Sequence, residues 1–306
     1  MFIFLPFVSS PALAEAGEIS AVWHSLWEEL LKGDFYGSLS HIGSVLAVMT
    51  LLFFMLKWSR QMMDGHIQRS ISDFIWPILV ISLLSSKGAV LSNVTRGLHD
   101  SISYVNQTII TAEFDSEREM TLSSAFTQAL RQEGDRQKVI QKYEQCQELQ
   151  DEEMRANCEK IHEIPESPSY LSSASQTQTW VQLIALHDSF RWLIEAIMLL
   201  IGILGPLAVG GTLLPVALGA KPIVVWLSGF FAIGLAKISF NTLAGLASFV
   251  VITADEVYPL TYAAFLGLLA PVLAMAIATA SSLSIFNGLS SSTEYIFGIS
   301  MRKSRR

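Results

Sequence analysis

Apolar positions follow two rhythms along this chain. In the first, Ile19, Val22, Trp23, Leu26, Trp27, Leu30 and Leu31 recur at helical spacing, with Glu28, Glu29 and Lys32 on the other face. That spacing predicts an amphipathic helix. With two tryptophans on its apolar side, the helix is expected to lie in a membrane interface within residues 15–36, anchored by Trp23 and Trp27. In the second rhythm, apolar residues continue without a polar face. Leu39–Leu56 is uncharged over about 18 residues, just long enough to cross a bilayer. Phe74–Leu84 begins a weaker run, carried across by Ser85–Leu91 if Lys87 snorkels. Pro77 stands near its start, where a helix tolerates it. Three more runs follow, Trp192–Leu214, Ile223–Thr253 and Tyr262–Phe286. The predicted fold is all-α, a polytopic α-helical membrane protein. About five transmembrane helices are expected, two within 37–92 and three within 181–293.

Between these groups, residues 93–180 are polar, with helical patterning and a "PESPSYLSSASQTQT" linker, and acids outnumber bases from Glu113 to Glu163. The chain's two cysteines, Cys146 and Cys158, both fall here. No histidine or further cysteine completes a zinc set around them. A pair in one polar loop reads as a disulfide in an oxidising compartment, closing a ring that stabilises by roughly 3 kcal/mol on a chain-entropy basis. The segment is therefore expected to be an acidic helical periplasmic loop.

Composition agrees with the runs. Hydrophobic residues make up 51% and charged ones 15%, with a mean hydropathy of +0.43, where soluble domains carry about a quarter charged residues. The net charge of −7 comes with no basic patch interleaved with aromatics, so no nucleic-acid surface is legible. "MFIFLPFVSSPALA" has an apolar core ending in an A-x-A-like site, which predicts a signal peptide over 1–14. Its missing basic region and short length point to a truncated start. The basic stretch 57–72 and the basic tail within 294–306 are expected to be cytoplasmic, the acidic turn 255–260 external. The N-terminus then lies in the periplasm and the C-terminus in the cytoplasm of a bacterial inner membrane.

The run "LGPLAVGGTLLPVALGAKPIVVWLSGFFAIGLAKISFN" breaks an apolar helix with Gly205, Pro206 and Pro215, then places Lys237 and Asn241 in the next span. Irregular backbone at membrane depth is viable only where protein or a watery cavity covers it. An ammonium there costs about 2.5–3.5 kcal/mol on insertion scales. Lys237 therefore has two readings: a pore or partner role, or a structural one, in which the long segment tilts and Lys237 snorkels to a headgroup or pairs with Glu195 in a neighbouring span. The two spans are expected to face each other or a shared lumen. His187, Arg191 and Glu195 share a helical face and read as a salt-bridge ladder. Ala270, Ala274, Ala278 and Ser282 form a small-residue stripe that permits close helix packing, within the chain or between copies.

"GPLAVGGTLLP", the basic turn at Lys221 and Trp226 opening the next helix resemble the TrbL-like polytopic inner-membrane subunit of VirB-type type IV secretion and conjugation systems. The motif covers about 40 residues, while the topology pattern covers nearly the whole chain. The resemblance implies a non-enzymatic channel or assembly-platform subunit, with Gly205, Pro206, Pro215, Trp226, Lys237 and Asn241 as channel or packing residues. It also implies a homo-oligomer in the lipid bilayer, with pilin, minor pilin and other inner-membrane subunits as partners and DNA or protein in transit. The acidic loop with its own cysteine pair and the signal-peptide-like start depart from the family pattern, so no loop function is carried over.

The chain has no G-x-x-x-x-G-K-[ST], H-E-x-x-H or G-x-S-x-G motif. No enzymatic activity, cofactor or metal is expected. The alternative reading is a secondary transporter, or another polytopic membrane protein, binding at the broken third and fourth spans. Transporters of that kind carry internal repeats, and none is found.

Overall fold

The structure, a computed structural model, describes residues 12–63, 67–115, 120–147, 152–154, 158, 173–212, 221–253 and 259–302. The expected signal peptide falls almost wholly outside them, as do Pro215 and the end of the basic tail. The described chain is almost entirely helical. Its helices are α1 (Ala12–Lys32), α2 (Asp34–Met63), α3 (Ile67–Thr111), α4 (Leu122–Gln147), α5 (Ser173–Ile203), α6 (Gly205–Gly211), α7 (Lys221–Thr253), α8 (Pro259–Ala264) and α9 (Ala270–Arg302). A π-helical turn, Phe265–Leu269, joins α8 to α9. A small antiparallel ribbon pairs β1 (Glu113–Asp115) with β2 (Met120–Thr121) through an irregular register.

Among the described residues, Pro222–Thr253 and Leu260–Gly288 are long and apolar enough to cross a membrane. A third such span arises if Gln178–Ile203 and Gly205–Gly211, bent by 40° at their break, count as one. Their outward faces are apolar too: Val272, Met275 and Leu283 are exposed on α9, and Trp192 and Leu200 on α5. Water would not stabilise such faces.

The chain forms two compact units. The first draws on Met1–Leu98, Leu199–Leu227 and Thr293–Arg306. Its core joins Ala47, Val80, Leu84, Leu91, Val209 and Trp226. Glycine sets its closest contact: a Cβ at Gly43 would stand 2.6 Å from the Pro206 carbonyl, and one at Gly210 2.6 Å from the Gly43 carbonyl. The backbones of α2 and α6 therefore touch.

Two expectations change in this unit. The second apolar run is not one straight helix, since α3 leaves helical geometry from Ser85 to Gly88. Two serines and a glycine in "SSKG" supply a common chemical cause of a sharp kink. Lys87 consequently does not extend along a span but lies 3.8 Å from Asp34. Trp27 is not an outward anchor either. Only 3% exposed, its ring lies where a Cβ on Gly202 would meet it at 3.1 Å. Protein contact buries more of the ring than a headgroup layer would. Trp23 is half-buried. Ser92 of α3 donates a hydrogen bond to the Leu31 carbonyl at 3.0 Å, and Arg96 donates to Glu28. The guanidinium holds the Glu28 carboxyl below its ordinary range, with Lys32 adding to the effect.

The second unit comprises His99–Met198 and Ser228–Ser292. One cluster joins Ala129, Ala244, Tyr262 and Leu266, and another joins Ile194, Phe240, Ala270 and Ala274. The small-residue stripe is thus used within the chain at Ala270 and Ala274. The described parts of the segment 93–180 are mostly helical. Its first part continues α3 to Thr111, and the buried Leu122, Ala125 and Ala129 make the start of α4 part of the core. A Cβ at Gly245 would meet the Leu122 Cβ at 2.7 Å. Beyond this, Cys146 and Cys158 form a disulfide with a Cα–Cα distance of 5.6 Å.

Candidate functional site

A polar seam runs between the apolar helices of the second unit. Glu195 lies in the last third of α5 and Lys237 at the middle of α7, and the side-chain Oε1 and Nζ are 2.6 Å apart. Their side chains are only 19% and 15% exposed. Lys237 also donates to Ser103 Oγ at 3.3 Å. The other Glu195 oxygen lies 3.8 Å from His99 Nε2, and His99 Nδ1 lies 3.2 Å from Asp100. One turn along α7, Asn241 donates to Asn106 Oδ1 at 2.9 Å.

The geometry follows from helical spacing. His99, Ser103 and Asn106 recur on one face of α3, as Lys237 and Asn241 do on α7. Gly234 sits one turn before Lys237, where a Cβ would meet the Ile102 side chain at 2.5 Å. Its missing side chain lets α3 and α7 approach closely enough for the next two turns to exchange hydrogen bonds. Of the two readings of Lys237, the structure shows the pairing with Glu195. Asn241 joins the same seam through a partner that sequence analysis did not find. The missed residues are His99, Ser103 and Asn106. Their i, i+4, i+7 recurrence was a usable signal, hidden because the surrounding segment reads as polar loop.

The expected His187–Arg191–Glu195 ladder does not form, because its members serve different surroundings. Glu195 turns to Lys237 and His99. His187 is buried, with its ring centre 5.3 Å from Phe126 and 4.7 Å from Phe240. Its Nδ1 lies 3.4 Å from the Leu266 carbonyl. That carbonyl belongs to the π turn, where Gly267 approaches α5 so closely that a Cβ would stand 2.5 Å from the Leu183 oxygen. Local widening of the helix here accommodates a close backbone contact. Nearby, the Ser248 and Tyr262 hydroxyls share a 2.7 Å hydrogen bond.

The broken-helix residues form a second arrangement, inside the first unit. α5 stops at Ile203, Leu204 carries the break, and Pro206 occupies the first turn of α6, where its missing N–H costs nothing. Gly205 and Pro206 are buried. A Cβ on Gly205 would stand 3.1 Å from the Trp226 ring, and the Trp226 indole N–H donates to the Ile201 carbonyl at 2.7 Å. Gly205, Pro206 and Trp226 thus make one joint, with the tryptophan holding a carbonyl just before the break.

Chemically, the seam can hold two apolar helices in register and fix charge within them. Among the described residues no cluster of three or more His, Cys, Asp or Glu side chains is placed to hold a metal ion. Protein-family models, curated proteins and solved structures provide no match to this chain.

Proposed function

We propose that this chain is an inner-membrane channel or assembly-platform subunit of a bacterial type IV secretion, or conjugation, machine, similar to the TrbL-like polytopic subunits. In this reading it crosses the membrane about five times, with the N-terminus in the periplasm and the C-terminus in the cytoplasm. It assembles with further copies of itself and with pilin, minor pilin and other inner-membrane subunits, and it supports pilus assembly and transfer of DNA or protein. Separate ATPases supply the energy.

The observation that carries the reading is the joint at Leu204. Of the residues on which the resemblance rests, Gly205 packs on the Trp226 ring, and Pro206, beside it, packs on Gly43. A helix broken and covered in this way is the expected solution for irregular backbone at membrane depth. The transporter alternative draws less support. Lys237 and Asn241, its natural ligand groups, are engaged with Glu195, Ser103 and Asn106.

The test is transfer efficiency in a donor strain whose copy of this gene is deleted and then restored. Deletion should abolish conjugation or secretion, and the unaltered gene should restore it. Gly205→Val, which pushes into the Trp226 ring, should restore it poorly at normal membrane abundance. Full transfer from the deletion strain would overturn the reading. Solute uptake by the purified chain in proteoliposomes would favour the transporter.

A further inference from the structure

The kink in α3 places a lysine where a straight helix would not. Ser86, Lys87 and Gly88 all take left-handed geometry, with φ of 55°, 57° and 75°. Gly88 is required there, since a Cβ would overlap Ser40 Oγ. Ser86 and Lys87 are not glycine, and left-handed geometry is strained for such residues. Strain of this kind persists where the surrounding structure imposes it, often at ligand clamps. Here it lays the Lys87 stem beside Gly37, whose Cβ would touch Cδ at 3.7 Å, and brings the ammonium to 3.8 Å from Asp34.

The kink and the first turns of α2 bound an open pocket of about 580 Å³ whose walls include Asp34, Ser38, His41, Ser44, Ser85 and Lys87. Three of its hydroxyls already donate to backbone carbonyls: Ser38 to Asp34, Ser44 to Ser40 and Ser85 to Ser82. Their oxygens remain as acceptors, beside the Asp34 carboxylate. Lys87 and His41 supply the opposite chemistry. A fitting ligand therefore presents both an anion and several N–H donors.

A separate observation identifies the rest of the ligand. Asp34, Ser38 and His41 lie on one face of α2, and the same face continues with Val45, Val48, Leu52 and Met55. All four of these apolar side chains are exposed. On α3 the wall residue Leu84 is preceded, one and two turns back, by exposed Ile81 and Ile78. The polar pocket thus opens directly onto an exposed apolar stripe, the arrangement that a lipid headgroup and its acyl chain require.

We propose that this pocket is a site for a phospholipid whose headgroup carries a primary ammonium, the phosphoethanolamine class. Its phosphate meets Lys87 and His41, its ammonium meets Asp34 and the serine oxygens, and an acyl chain lies along Val45, Val48 and Leu52. The ligand replaces one exposed, weak ion pair with two charge-assisted sets of contacts. This assignment does not depend on the secretion reading.

The test is native mass spectrometry of the full chain released from micelles. These contain equal amounts of phosphatidylethanolamine, phosphatidylcholine and phosphatidylglycerol of one acyl composition. The chain should retain the first in preference to the second, whose quaternary ammonium has no N–H, and to the third, which has no ammonium. Replacing both Asp34 and Lys87 by alanine should lower that retention at least about tenfold, the loss expected for one charge-assisted contact. Lys87→Arg should keep it. Soluble glycerophosphoethanolamine should not displace the lipid. Equal retention of the three lipids by the unaltered chain would overturn the proposal. So would undiminished retention by the double variant, or displacement by the soluble headgroup, which would assign the pocket to a free solute.

Discussion

At Gly43 and Gly210 the first unit lets two helix backbones touch, while at Lys237 and Glu195 the second unit joins two helices through charges. Both solutions bring apolar helices together where hydrophobic burial gives little drive, because lipid is as apolar as leucine. They differ in what they tolerate. Backbone contact depends on shape, and any added atom is a clash. A charge pair depends on its partner, and the danger is losing one half. In the first unit the described ion pairs Arg96–Glu28, Lys32–Glu28 and Lys87–Asp34 involve exposed or half-exposed groups. In the second, the central pair is largely covered.

The sharpest test of this contrast is Lys237→Leu. The net worth of the intact pair is small, because desolvation offsets most of the attraction. Removing one partner alone is another matter and should cost about 3–5 kcal/mol by leaving Glu195 covered without its lysine. Thermal unfolding of the solubilised protein, together with membrane abundance, would measure it. Replacing both residues by leucine should recover most of the loss. If the double variant were no better than the single one, Lys237 would act through something other than its pairing with Glu195.

Gly210→Ala is the matching test for the first unit and should cost about 1–3 kcal/mol, the usual penalty of overpacking. The obstructing atoms belong to the Gly43 backbone, so rotamer changes cannot relieve the clash. No second-site change of charge should rescue it, and this distinguishes it from Lys237→Leu. Wild-type stability in Gly210→Ala would mean that α2 and α6 separate readily.

The smallest expected effect concerns Glu28. Its carboxyl is held below the ordinary range by Arg96, so the contact contributes above the unfolded pKa of about 4.3. That contribution is lost as pH falls through the lower folded value. Solvent screens this half-exposed pair. Tryptophan fluorescence from the α1 region should therefore change modestly, and only in acid below about pH 4.3. In Glu28→Gln the acid-dependent part should disappear. An equal transition in that variant would assign it to another group.

Helical spacing and apolar runs located α1, the middle of α2, and α5, α7 and α9, because burial in protein or lipid leaves its mark on the sequence. The pairing of Lys237 with Glu195 was legible as an alternative, since a charge in an apolar segment demands a partner and Glu195 is close at hand in the neighbouring span. The cysteine pair was legible through its isolation in polar sequence. Two things were not. Trp27 is amphipathic by type, so its sequence context could not separate a lipid interface from the Gly202 surface that covers it. Residues 99–106 are polar on average, and average polarity conceals the single face that meets α7.

Local chemistry also foretold the break at Gly205 and Pro206, where proline and glycine interrupt the helix whatever surrounds them. Tertiary structure decided what covers that break, because the Trp226 contact joins groups 25 residues apart. It decided as well that Lys87 turns back toward Asp34 across the α3 kink, far from its partner in sequence. The sequence by itself determined where helices form and where they fail, since both depend on neighbouring residues. Only the tertiary structure decided which polar groups meet, because those pairings depend on backbone approach at a few glycines whose neighbours are distant in the chain.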